Sequence, residues 1–336
     1  MAKNTRREFL ERAVGAVGAG VTLTAFGRES LLAEALGTAR DYAAGRHAIE
    51  LDGVTAGWVQ SAEGGHASAD VVSQTMGGVQ YHGRPGAKVR YEDITVNCGA
   101  GMSRGFYEWI KVNLDHKYAR KNGAVVEYDF NYKEVSRMEW TNGLISEVGF
   151  PALDAASKDA AKMTVRIRPE STRTITRHGG TSVGPKMQAP QKRWLPANFR
   201  LQIPNLDCTR VNRIEALQIS LALPESGVGE MRTHEQQPTR ARFPDLVATL
   251  PESQDGGFYK WHQDFVARGS RAAKKNGRLD YLTPDGQVLF TLGFRNLEIF
   301  KFAPERMQAH NENIRRVQAG MHCEDITFSY GPGASA

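Results

Sequence analysis

The chain has 336 residues, 40% hydrophobic and 24% charged, enough for about two ordinary domains. That composition excludes a disordered chain, and the body of the sequence never reaches the roughly 18 to 20 unbroken apolar residues of a spanning helix. Of the net charge of +6, most sits in the acid-free segment 172–197 with Arg173, Arg177, Lys186, Lys192 and Arg193, so a solvated basic linker is expected and nucleic-acid binding is not.

Residues 1–46 read as an address and linker. Arg6 and Arg7 precede Phe9 and Leu10, an uncharged run extends from Ala13 to Phe26, and small residues follow at Ala33 and Ala35. A basic start, an apolar run and a small-residue site organise an export signal. Arg6-Arg7-x-Phe9-Leu10 resembles the twin-arginine signal, which addresses folded proteins to export machinery. A helical signal-like segment and a periplasmic or extracellular destination are expected. The rival reading is an attached amphipathic helix on a cytoplasmic particle.

The segment 47–174 carries short β patterns: Ala48 to Gln60, Lys88 to Val96, Ala124 to Phe130, Glu134 to Trp140, Leu144 to Phe150 and Met163 to Arg168. From Ser103 to Asp115 the apolar residues Phe106, Trp109, Ile110 and Leu114 recur at helical spacing, which predicts one amphipathic helix with its ring-bearing face on the β structure. Segment 175–197 has the Gly and Pro content of a linker, and 198–330 repeats the earlier logic before a tail at 331–336.

The repetition is explicit. Gly105-Phe106-Tyr107-Glu108-Trp109 returns as Gly257-Phe258-Tyr259-Lys260-Trp261, and Tyr91 to Val96 lines up with Phe243 to Ala248. Lys121-Asn122-Gly123 matches Lys275-Asn276-Gly277, and Trp140-Thr141-Asn142 matches Phe294-Arg295-Asn296. Phe258, Trp261, Phe265 and Val266 predict the second helix, and the rings Phe106, Trp109, Phe258 and Trp261 are assigned to the core of the repeats. Asn122-Gly123, Asn142-Gly143, Asn276-Gly277 and Asp285-Gly286 are expected to supply tight hairpin turns. The fold class is therefore mainly β: two tandem small barrels, each with one flanking helix.

Ligand chemistry is sparse. Cys98, Cys208 and Cys323 are far apart without metal-ligand spacing, so buried structural thiols are expected, with a disulfide pair open if the chain is exported. His322-Cys323-Glu324-Asp325 is the densest potential cluster, but strand alternation lets only His322 and Glu324 share a face. Phosphate-binding loops and nucleophile elbows are not found, so no catalytic residue, metal or cofactor is assigned. An exported binding protein or a metal or redox enzyme with two barrel domains remains the alternative.

Pro85-Gly86, Lys88, Tyr91, Ile94 and Thr95, followed by a helix bearing Trp109, resemble the phage tail-tube family, which includes the tubes of contractile injection systems and shares its fold with the Hcp rings of type VI secretion. The resemblance is weaker in the second copy, where Phe243 and Pro244 replace Tyr91 and Glu92. It implies a structural, non-enzymatic barrel that assembles with itself into stacked six-membered rings, alongside other tail or tube components. Two barrels per chain imply a trimer that looks hexameric.

Overall fold

The computed structural model describes residues 45–69, 73–76, 79–82, 89–176, 194–222, 225–226, 235–236, 240–270, 274–305 and 314–331. Arg6, Arg7, Phe9 and Leu10, the Pro85-Gly86 pair with Lys88, and most of the expected linker lie outside them. In the first half the strands are β1 (Arg46–Leu51), β2 (Val54–Val59), β3 (Ser61–Glu63), β4 (Ala67–Ala69), β5 (Ser73–Met76), β6 (Val79–His82), β7 (Val89–Tyr91) and β8 (Ile94–Cys98). Helix α1 (Arg104–Leu114) follows, then β9 (Lys121–Tyr128), β10 (Glu134–Phe150), β11 (Leu153–Asp154), β12 (Met163–Arg168) and β13 (Ser171–Thr176). The second half starts with β14 (Phe199–Gln202), β15 (Arg213–Ile214), β16 (Leu217–Ala222), β17 (Glu225–Ser226), β18 (Glu235–Gln236), β19 (Arg240–Arg242) and β20 (Leu246–Pro251). It ends with α2 (Gly256–His262), β21 (Lys275–Leu282), β22 (Val288–Pro304), β23 (Arg316–His322) and β24 (Asp325–Tyr330).

Period-two burial explains the strands. Ile94, Val96 and Cys98 of β8 and Met163, Val165 and Ile167 of β12 point inward while their neighbours face outward. One large sheet runs β2-β1-β9-β10-β12-β8-β3, with β13 and β16 also on β10; the other runs β11-β15-β20-β23-β22-β21-β14, with β24 on β22. The residues from Gly45 onward form one compact unit, and the larger of its two apolar clusters draws residues from both halves. The expected strand from Ala48 to Gln60 is a hairpin, turned at Asp52 and Gly53 with φ of 49° and 81°.

The strand registers of the first half recur in the second. Gly123 opposite Trp140 and Lys121 opposite Gly143 become Gly277 opposite Phe294 and Lys275 opposite Leu297. Ile145 opposite Ile167, with a bulge before Glu147, becomes Ile299 opposite Met321 with a bulge before Lys301. Trp140 opposite Thr172 becomes Phe294 opposite Ile326. Both members of each pair move by the same offset. On strands nearer the start of each half the offset is slightly shorter: Ser68 opposite Arg90 becomes Ser220 opposite Arg242 with both members moved alike, and Ile49 opposite Val125 becomes Leu201 opposite Leu279, where Ile49 moves by the shorter offset and Val125 by the longer one.

Three of the four expected turns are corrected by the structure. Asn122-Gly123 and Asn276-Gly277 lie inside β9 and β21, and Asn142-Gly143 lies inside the single strand β10. Asn142 does take a positive φ, 49°, but at a bulge that bends β10 between two sets of partners. Its backbone N–H donates to Asn122 Oδ1 at 2.9 Å and its side-chain amide donates to Glu170 Oε2 at 2.7 Å. Asn296, with φ of 50°, does the same with Asn276 at 3.1 Å and Glu324 at 2.8 Å. Gly123 is required because a Cβ there would sit 2.3 Å from the buried ring of Trp140. Gly286, with φ of 79°, turns between β21 and β22 as expected of Asp285-Gly286.

Helix α1 starts at Ser103, whose Oγ accepts from Phe106 N, and is pinned by Trp109 Nε1 donating to Ala119 O at 2.7 Å. The second helix departs from its expected pattern. After His262 it widens into a π turn over Gln263–Ala267, which carries Val266 out to half exposure.

The two Asn bulges should respond alike to substitution. Asn142→Val and Asn296→Val force a β-branched residue into the left-handed region and strip the clamp, and should each cost about 2 kcal/mol in urea unfolding. Asn142→Gly and Asn296→Gly, which keep the backbone, should cost less than half of that.

Candidate assembly surface

The residues joining the two halves come from three places. β16 adds to the outer side of β10, with Glu147 opposite Ser220, Val148 opposite Ile219, Gly149 opposite Gln218 and Phe150 opposite Leu217. β11 adds to β15, with Leu153 opposite Ile214. Helix α1 lies against β24. β-strand addition satisfies the outward N–H and C=O groups of β10, which a strand buried in a core cannot leave unpaired.

Aromatic rings fill the joint. Phe150, from the first half, stands 5.5 Å from the ring of Tyr281 and 6.0 Å from that of Phe328, both of the second half. Tyr107 stacks on Tyr330 at 5.6 Å and tilts against Phe290 at 5.2 Å, while Trp194 meets Phe290 edge-on at 5.4 Å. Around the rim Arg104 Nε donates to Tyr330 Oη at 3.1 Å, and that hydroxyl donates to Glu108 Oε2 at 3.2 Å. Burial pushes the Tyr107 and Tyr281 hydroxyls far up, so both rings stay neutral.

The structure puts the four ring residues singled out in the sequence, Phe106, Trp109, Phe258 and Trp261, in the core. Sequence reasoning missed Phe150 and Trp194, and read Tyr107 as part of the Phe-Tyr-x-Trp core segment without its place in the joint, although a signal existed. With Tyr107 beside Phe106, Trp109, Ile110 and Leu114, α1 is apolar over more than one face, as a helix packed on two sides must be. Trp194 falls within the expected linker, yet it is buried and its carbonyl accepts from Ala161 N at 2.8 Å.

Two surfaces, one in each half, are open among the described residues. The outer side of β22 from Lys301 to Pro304 has no strand partner among the described residues, and Phe300 beside it is 46% exposed. β4 is exposed along its length and pairs only with β7 among the described residues.

The potential ligand cluster is divided. His322 Nδ1 lies 3.0 Å from Asp245, whereas Glu324 is bound by Lys274 and Asn296. No group of metal-ligating side chains assembles among the described residues. All three cysteines are free and buried, and burial pushes the Cys98 and Cys323 thiols up to about 12, which keeps them protonated at neutral pH. A cavity of about 620 Å³ opens beside β14, but Arg200 and Arg278 on its wall already bind the fully buried Asp280 at 2.8 and 2.6 Å. Burial opposes the Asp280 charge, and hydrogen bonds from Arg200, Thr291 and Arg278 together outweigh it and hold the carboxyl below its usual range. Its contribution to stability is present above about pH 4 and lost as the pH falls through the lower folded value.

Residues 44–173 match the family model described as T4-like virus tail tube protein gp19. Solved structures with similarity include a chain of the anti-feeding prophage baseplate, at 12% identity and a TM-score of 0.35, covering 43% of this chain and 98% of that one. A chain of the sheath/tube terminator of an extracellular contractile injection system, PVC, has 18% identity and a TM-score of 0.34 over 39% of this chain and 94% of its own. Hcp1 from E. coli EAEC 042 has 14% identity and a TM-score of 0.27 over 40% and 93%. No curated protein matches.

Removing the ring at the centre of the joint should be costly. Phe150→Ala is expected to lower the unfolding free energy by about 3–5 kcal/mol, read as a lower urea midpoint, whereas Phe130→Ala at an exposed ring should shift it by less than about 0.5 kcal/mol.

Proposed function

We propose that the chain is a structural tube subunit made of two copies of one tail-tube-type barrel, and that it assembles into rings stacked as a hollow tube. The observation that carries this reading is the recurrence of the strand registers and of the Asn bulge clamp at a nearly constant offset along the chain. The family match to residues 44–173, the first of the two copies, supplies the kind of barrel. Six barrels in a ring then come from three chains, giving threefold symmetry that looks sixfold. Its partners are further copies of itself and other components of a tail-like or injection-system-like particle. The repeat-core rings Phe106, Trp109, Phe258 and Trp261 stabilise the two barrels and take no part in chemistry.

Native mass measurement of the purified chain, followed by negative-stain imaging, tests this. A species of three times the chain mass and ring or tube particles are expected; a monomer at micromolar concentration without such particles refutes the tube.

We also propose that Arg6, Arg7, Phe9 and Leu10 direct export by the twin-arginine route, on the order of charged, apolar and small residues in the sequence. In a bacterial host with that pathway, Arg6→Lys combined with Arg7→Lys should retain the chain in the cytoplasm. Unchanged export of the double variant removes the reading.

A further inference from the structure

The joint between the halves contains a template for a joint between chains. β16 is one strand of a hairpin whose partner is β19, with Ser220 opposite Arg242 and Leu221 opposite Ala241. The counterpart hairpin in the first half is β4 with β7, where Ser68 lies opposite Arg90 and Ala69 opposite Val89. β16 docks on the outer side of β10. The counterpart of that acceptor in the second half is the outer side of β22, which is open among the described residues. One hairpin of the pair is thus docked and the other exposed; among the described residues one acceptor edge is filled and the other has no strand partner.

We propose that β4 of a second copy of this chain completes β22, with Ser68 opposite Lys301, Ala67 opposite Phe302 and His66 opposite Ala303. This register is obtained by moving the pairs Glu147–Ser220, Val148–Ile219 and Gly149–Gln218 to their counterparts. The ladder stops at His66, because Gly65 has a φ of 79° and its carbonyl already accepts from Thr172 Oγ1 at 2.6 Å. The inference rests on the reading of the halves as copies, and it names the surface through which that reading operates.

Burial supports the same pair of surfaces. Tyr107 on α1 is 0% exposed under β24, whereas its counterpart Tyr259 on α2 is 50% exposed. Phe300, at the bulge of β22 beside the open edge, has an exposed ring. Exposed Tyr259 and Phe300, beside an outer strand edge that has no partner among the described residues, form an apolar surface that a partner strand and its sheet would cover. Pro304, at the end of that edge, lacks an N–H and limits how far a foreign strand can extend the ladder.

The joint between chains differs from its template in polarity. The counterparts of Tyr281 and Phe328, which receive Phe150, are Glu127 and Thr174, and the counterpart of Phe150 itself is Pro304. A more polar joint without an inserted ring suits subunits that fold first and associate afterwards. The contact is also head-to-tail, since donor and acceptor are different surfaces, so it propagates from copy to copy until the rotation closes.

Directly opposed residues of an antiparallel pair have Cβ atoms about 4.5–5.5 Å apart, within reach of a disulfide. Ser68 and Lys301 are both exposed and the three native thiols are buried, so the full chain carrying Ser68→Cys and Lys301→Cys can be oxidised without disturbing the core. Non-reducing electrophoresis is expected to show covalent dimers and trimers, at least tenfold more abundant than for Ala67→Cys with Lys301→Cys, which shifts the register by one and turns the thiol to the other face. Rings in the microscope without cross-linking above the shifted pair overturn this docking and leave the tube standing. Cross-linked chains that never form rings support the docking and refute the tube, and a monomer that does not cross-link refutes both.

Discussion

A strand buried in the middle of a core has to be hydrogen-bonded along both sides, and β10 is where this chain meets that requirement. Its first stretch lies between β9 and β13, and its last lies between β12 and β16. Four strands thus depend on one, and the fourth comes from the other half of the molecule. Phe150 at the end of the same strand carries the joint into the second half, where Tyr281 and Phe328 close around it. The bend that lets one strand serve both sets of neighbours is made at Asn142, whose positive φ is held by Asn122 and Glu170. Backbone pairing, ring packing and the bulge clamp therefore act on the same strand.

Much of this was legible in the sequence because it depends on local pattern. The alternation in Met163 to Arg168 and the three- and four-residue spacing in α1 report directly on which side of each element is buried. The repeated Phe-Tyr-x-Trp segment predicted two helices, and both formed. What escaped was non-local. An Asn-Gly pair signals a positive φ without saying whether the chain reverses there or bulges, and the difference is made by Asn122 and Glu170, far from Asn142 along the chain. Trp194 sits among Gly and Pro residues, and only Tyr281 and Phe290 make it a core residue. Pairing between β10 and β16 joins distant stretches of chain, and no periodicity within either strand selects the partner.

Charge follows the same division. Arg173, read as part of a solvated basic stretch, lies on β13 and binds Glu139 at 2.9 Å. Arg137 is held between Glu50 and Glu134 at 2.8 and 2.9 Å, next to the apolar cluster of Ala48, Ala124 and Val126 on the outer sheet of the first half. In the second half the counterparts of those three are Arg200, Arg278 and Asp280, which form a charged cluster instead. Strands paired in the same register thus carry an apolar patch in one half and an ion-pair network in the other, so these two faces offer different chemistry to whatever lies against them.

The attachment of β16 to β10 has one further consequence, which comes from the peptide chain running between them. Two separate polypeptides meeting through such a ladder would part on dilution, whereas here both strands belong to one chain and meet within the molecule. The contact is therefore independent of how much protein is present, and its occupancy is set by folding alone.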